Sequence, residues 1–223
     1  MSNIAPKLTE GVGIAATLAT LIGAEGTGAH RFSDSVDLNR GKFATRNLAD
    51  MAHYLCTLHG RHPGVIDLAA THTVQDGART WLLKAVDGFA IERGFLTKLV
   101  VAAGPLPSTP GQADSEAAVN GQRHALDMLA RSDRNGCALG AAMTLVIDWH
   151  EIRIILDHAG KRWGVETPDC ALPSMADTLS VATACAESAA IERAMNFGAQ
   201  QILAQHRGLW NLLEARHIAR GEY

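Results

Sequence analysis

The 223 residues suit one domain or two small ones, and a core of that size can bury most of its apolar surface. With 47% hydrophobic and 19% charged residues, the chain is too apolar for disorder to describe it as a whole. Twenty Lys and Arg against 23 Asp and Glu give a net charge of −3, and the basic residues are scattered singly, which excludes the electrostatic footprint of a nucleic-acid binder.

At the start, Val12–Ala24 is an apolar run of thirteen residues, too short to span a bilayer. Only Lys7 precedes it as a positive charge and Glu10 stands almost against it, so an export signal is not expected. Thr9 is a candidate cap for a first helix with Ile14, Leu18 and Leu21 on one face. Residues 23–42, rich in Gly, Ser and Asp, read as a surface loop. A second helix is expected from about Thr45 to Leu58, stopping at Gly60, and Pro63 suits the first turn of a short third helix.

The run Thr73-Val-Gln-Asp76 has the form of a capping box and opens a long fourth helix. Its stripe is Ala78, Leu82, Ala85, Phe89, Glu92, Leu96, Leu99 and Ala103. A linker at 104–113 cannot continue a helix. The fifth helix runs from about Ser115 to Arg131.

The sixth, about 136–159, contains Cys137–Ile147, eleven residues without a charge, which requires burial on every side. A third loop, 160–173, holds Pro168 and Pro173. From Ser174 to Arg220 apolar residues recur at helical spacing, with Gly198 and Gly208 as expected bends. No alternating stretch is long enough for a sheet. The expectation is one all-α domain over residues 1–223, a seven- to eight-helix orthogonal or up-down bundle around the buried central helix.

The terminal segment carries small residues at Ala182, Ala186, Ala190 and Ala194 and a second stripe through Val181, Ile191, Met195 and Ile202. Two apolar faces on one long helix exceed what a single neighbour requires, so the second covers either a further helix or a second subunit, and a homodimer is expected. Cys56, Cys137, Cys170 and Cys185 form no C-x-x-C, and three of them lie in helical patterns, so reduced thiols in a cytoplasmic protein are expected.

Glu92 falls on the apolar stripe, where an unpaired carboxylate is costly. It is either a metal ligand or acid/base group, or a residue that turns out to solvent or pairs with an Arg. Asp148, His150 and Glu151 end the uncharged stretch, with Asp157 and His158 close by, and form either one wall of a site or the solvated end of the helix. His59 and His62, at i and i+3, could reach one ion, although Pro63 takes His62 out of helical dihedrals.

Glu214-x-x-His217 and Asp50-x-x-His53 match a di-iron spacing, but about one such pair is expected by chance, and Glu214 and Arg216 read as surface charges. There is no G-x-S-x-G, P-loop, G-x-G-x-x-G or H-E-x-x-H.

In helix number, length and buried central helix the pattern resembles the haem-oxygenase/TenA-like proteins and, less closely, ferritin-like bundles. The resemblance implies a fold and transfers no cofactor or activity. Two kinds of function follow from the residues themselves. One is an internal site lined by Glu92, His150, Asp148 and Glu151 that holds a small organic ligand, or a transition metal held by Glu92 and His150 or by His59 and His62. The other is a non-catalytic helical module that forms homo-oligomers or regulates a partner.

Overall fold

A computed structural model describes residues 13–106, 109 and 111–220. The expected cap at Thr9 lies outside them, as do Pro107, Ser108 and Pro110 of the linker. The described residues form nine α-helices and no strand: α1 (Ile14–Glu25), α2 (Val36–Asn39), α3 (Ala44–His59), α4 (Val65–His72), α5 (Arg79–Ala103), α6 (Gln112–Ala130), α7 (Cys137–Trp163), α8 (Met175–Cys185) and α9 (Ala189–Ala219). Short 3-10 turns at Thr27–Ala29 and Asp76–Ala78 complete the order. Among the described residues no helix is long and apolar enough to cross a membrane.

The uncharged stretch places α7 at the centre. Every residue from Cys137 to Trp149 is buried, and α1, α3, α4, α5, α6, α8 and α9 all pack around this helix. Gly136, at φ +92°, turns the chain into α7 through the left-handed region, and Gly164, at φ +68°, ends it. The most extensive contact is with α9, where the backbones meet at two glycines. A Cβ on Gly140 would lie 2.2 Å from the Met195 carbonyl oxygen, and one on Gly198 would lie 2.1 Å from that of Cys137.

Five local expectations are corrected. Residues 23–42 are not a surface loop: Thr27, Phe32, Ser33, Leu38 and Asn39 are buried, because this segment closes over α7. Thr73 is no cap, since it ends α4. The box forms instead at Gly64, whose N–H donates to the Asp67 carboxylate.

Gly198 and Gly208 do not bend the last helix. The break comes at Ala186–Ser188, and the Ser188 hydroxyl caps α9 by accepting from Ile191 N–H. Both stripes that suggested a dimer are therefore cut at this break: Val181 and Ala182 lie on α8, which packs on α1 and α7, while Ala194, Met195 and Ile202 lie on α9 and are buried in the core. Arg216 is no surface charge either, being buried against Asp50 at 3.0 Å.

Candidate functional site

Just past its uncharged half, α7 carries five polar or aromatic side chains in six residues, and the 100° step of the helix sends them three ways. Asp148 and Glu151 share the side facing α1 and the turn Thr27–Ala29, Trp149 and Arg153 face α5, and His150 faces the segment 164–174.

Asp148 is fully buried and well satisfied. Its Oδ1 accepts Thr27 N–H at 2.7 Å, and its Oδ2 accepts the Thr27 hydroxyl at 2.8 Å and the Nδ1–H of His206 at 2.6 Å. Trp210 Nε1–H then donates to the Thr27 hydroxyl at 3.0 Å. This approach requires Gly26, where an added Cβ would stand 2.7 Å from the carboxylate.

Burial alone would raise the Asp148 carboxyl, but the hydrogen bond and charge of His206, with the two bonds from Thr27, outweigh it and hold it below the usual value. His206 Nε2 meets His59 Nε2 at 2.9 Å, so one proton lies between the two rings. Burial, then the charge of His206, pushes His59 well below the usual imidazole value and keeps it neutral. Trp149 and Phe89 enclose the His59 ring edge-on, at 5.5 and 6.3 Å between centroids.

Glu92 is also fully buried, and of the readings its position allowed, pairing with an arginine is the one found. Its Oε1 accepts from Arg153 Nη1 at 2.5 Å and its Oε2 from Trp149 Nε1 at 3.0 Å. Arg153 also holds Asp157 at 2.6 Å and donates to the carbonyl of Pro168. Burial works against the guanidinium charge, yet the bond to Asp157 and the Glu92 charge raise its pKa overall. Both Glu92 oxygens are thus committed inside the fold.

Beside this buried network lies a cleft of about 660 Å³ between α1, the Thr27–Ala29 turn, α7 and the start of α8. Its walls are mainly small or apolar (Ala19, Ile22, Gly23, Ile147 and Met175), with Asp148, His150 and Glu151 along the α7 side. A smaller cavity of about 260 Å³ adjoins it beyond Glu151, lined by Ser33, Asp34, Asn39 and His158 among others. The exposed Glu151 carboxylate has no ion pair or hydrogen bond among the described residues. His150 is half-buried, and its Nε2 bonds the Pro173 carbonyl at 3.0 Å. Its pKa is raised, first by a hydrogen bond with the Cys170 thiol, against the cost of burial, and then by the Pro173 carbonyl.

A family model matches residues 22–221, from within α1 to beyond the end of α9. The chain belongs to DUF6975, a family of unknown function. No curated protein and no solved structure matches it.

In this family member the residues put forward for a metal are dispersed. His59 is in the core against His206, whereas His62 is exposed beside Asp67 at 3.4 Å. Glu92 is taken by Arg153 and Trp149, while His150 turns to Pro173. Among the described residues no three His, Cys, Asp or Glu side chains are gathered as a metal requires. The di-iron spacings come apart likewise: Glu214 pairs with Arg31, Asp50 with Arg216, and His53 bonds the Gly104 carbonyl.

Asp148, His150 and Glu151 do share one cleft wall, and Glu92 stands apart from it in the core. Sequence reasoning missed Thr27, Arg153, His206 and Cys170. For His206 a signal existed, since it falls on the stripe from Ile202 to Leu209 and Leu213.

Proposed function

We propose that the protein binds a small, mainly apolar organic molecule bearing an amine or hydroxyl in the cleft between α1 and α7–α8. The observation that carries this reading is the combination of an apolar cleft of about 660 Å³ with one uncommitted carboxylate, Glu151, on its wall. That volume falls in the range of small-molecule sites, which pair apolar walls with a few placed polar groups. Asp148 lines the same wall but its oxygens already accept three hydrogen bonds, so it supports the site and leaves recognition to Glu151. An acceptor without a partner favours a donor on the ligand, and a cation above all.

Calorimetric titration with 4-phenylbutylamine and with 4-phenylbutyrate tests this. The amine binds more tightly than the carboxylate, by about tenfold or more, and Glu151→Gln removes the difference. Gly23→Leu weakens both, because a Cβ at Gly23 meets nothing within 4 Å and the new side chain enters the cleft without a clash. No binding of either compound, or equal binding by wild type and Gly23→Leu, refutes the reading.

A further inference from the structure

We propose that a second cleft, between the start of α3 and the ends of α5 and α7, binds a small organic phosphate monoester with an apolar body. The cleft holds about 450 Å³, within the range of small-molecule sites. Phe43, Ala49, Leu106 and Trp163 give it apolar walls, and its charged groups are Lys42 and Arg46. Among the described residues no acidic side chain lines it.

One ring sets both cations in place. Lys42 Nζ stands 4.6 Å from the centroid of the Phe43 ring, and the guanidinium carbon of Arg46 stands 4.9 Å from it. Lys42 is exposed and has no ion pair among the described residues. A guanidinium carries five donors, so Arg46 can give some to a ligand while others are engaged. At the rim Arg162 donates to the hydroxyl of Thr45, which also lines the cleft, at 3.2 Å.

The carboxylates around this cleft are committed elsewhere. Asp50, one turn along α3 from Arg46, takes Arg216 Nε at 3.0 Å and Arg220 Nη1 at 2.7 Å on the same oxygen. Asp37 lies against His217 at 3.5 Å, and Asp157 against Arg153 at 2.6 Å. Behind Arg46, therefore, two guanidiniums share one carboxylate and the charge left over is positive. Burial and then the charge of Arg220 lower the Arg46 pKa, and Asp50 offsets them only in part.

A cleft lined by one sign of charge between low-dielectric walls concentrates counter-ions. Several cations are answered better by a dianion than by a single charge. A phosphate monoester carries about −1.5 to −2 near pH 7 on three acceptor oxygens, which suit both the fork of an arginine and the point charge of a lysine. The preference is the reverse of that set by Glu151 in the other cleft.

Calorimetric titration of the full chain with 2-naphthyl phosphate tests this. The ester binds about tenfold or more tighter than neutral 2-naphthol, singly charged 2-naphthoate or inorganic phosphate, which lacks the apolar body. Lys42→Glu, at an exposed position, weakens it about tenfold or more, and Gly23→Leu in the other cleft leaves it unchanged. Equal binding of the ester and 2-naphthol, or of the ester and inorganic phosphate, overturns the proposal. So does an affinity untouched by Lys42→Glu, or binding that Gly23→Leu removes. None of these probes is an amine, so the outcome is independent of whether phenylbutylamine binds beside Glu151.

Discussion

Gly198→Ala sets two effects against each other whose sizes the structure separates. In the interior of α9 alanine is favoured over glycine by about 1 kcal/mol of helix propensity. At this position, however, the new Cβ would lie 2.1 Å from the Cys137 carbonyl oxygen and 2.9 Å from Ala141 N, where ordinary contact begins at 3.4 Å. The shortfall is about 1.3 Å (3.4 less 2.1). The obstacle is helix backbone, so no side chain can swing aside and α7 must move from α9.

A gap of 0.5–1 Å forfeits roughly a quarter to a half of each dispersion contact along the interface, and overpacking costs about 1–3 kcal/mol, occasionally more. This crossing is the most extensive in the fold, which puts the cost at the upper end, and the net loss is about 2–3 kcal/mol once the propensity gain of about 1 is returned. Urea unfolding followed at 222 nm measures it, and the melting temperature falls by roughly 5–10 °C. Gly94→Ala and Gly121→Ala are the controls: both sites are exposed and helical, and their added Cβ meets nothing within 4 Å. Each gains up to about 1 kcal/mol. If Gly198→Ala is as stable as these, the reasoning from backbone contact fails.

Glu92→Ala leaves Arg153 buried without its main partner and costs about 3–5 kcal/mol in the same assay, whereas Glu92→Leu with Arg153→Met together cost far less. His59 supplies a pH dependence. Its folded pKa lies below the unfolded value, so the unfolded chain takes the proton first, and stability complete above about pH 6.5 is lost on acidification at up to about 1.4 kcal/mol per pH unit. The lowered Asp148 carboxyl adds a loss of the same sign only below about pH 4. His150, with its raised pKa, adds stability below pH 6.5 that fades as pH rises, so the His59 contribution is read as the difference between wild type and His59→Gln in urea midpoints at pH 7.5 and 5.5. Thr27→Val, which keeps the shape but removes the hydroxyl between Asp148 and Trp210, costs about 1–3 kcal/mol by the same measure.

Local pattern made the central helix legible, because eleven uncharged residues have only one stable environment, and it put Glu92 on the buried side of α5, where it is found. Partners were not legible. Arg153 reaches Glu92 across 61 positions and Thr27 reaches Asp148 across 121, distances at which spacing carries no information. Thr27 was further hidden by composition, since Gly, Ser and Asp around it read as solvent-facing when the segment in fact supplies donors to a buried carboxylate. The break between α8 and α9 rests on the single cap at Ser188, with neither glycine nor proline to announce it. Of the proposed site, the α7 wall was visible as one run of side chains. The opposite wall needed the fold, being made by α1 and the first turn of α8.

The segment between Gly164 and Ser174 is held through its main chain and by the buried side chain of Leu172. Arg153 and His150 grip the carbonyls of Pro168 and Pro173, and Gly88 gives its backbone a seat. Its course is therefore set by these anchors and by Leu172, and the exposed side chains of Asp169 and Ala171 have no part in fixing it. Such a segment can exchange its exposed side chains while the path beneath them stays put. Here a protein can acquire new surface chemistry at little structural risk, and divergence within the family has room to act beside an unaltered core.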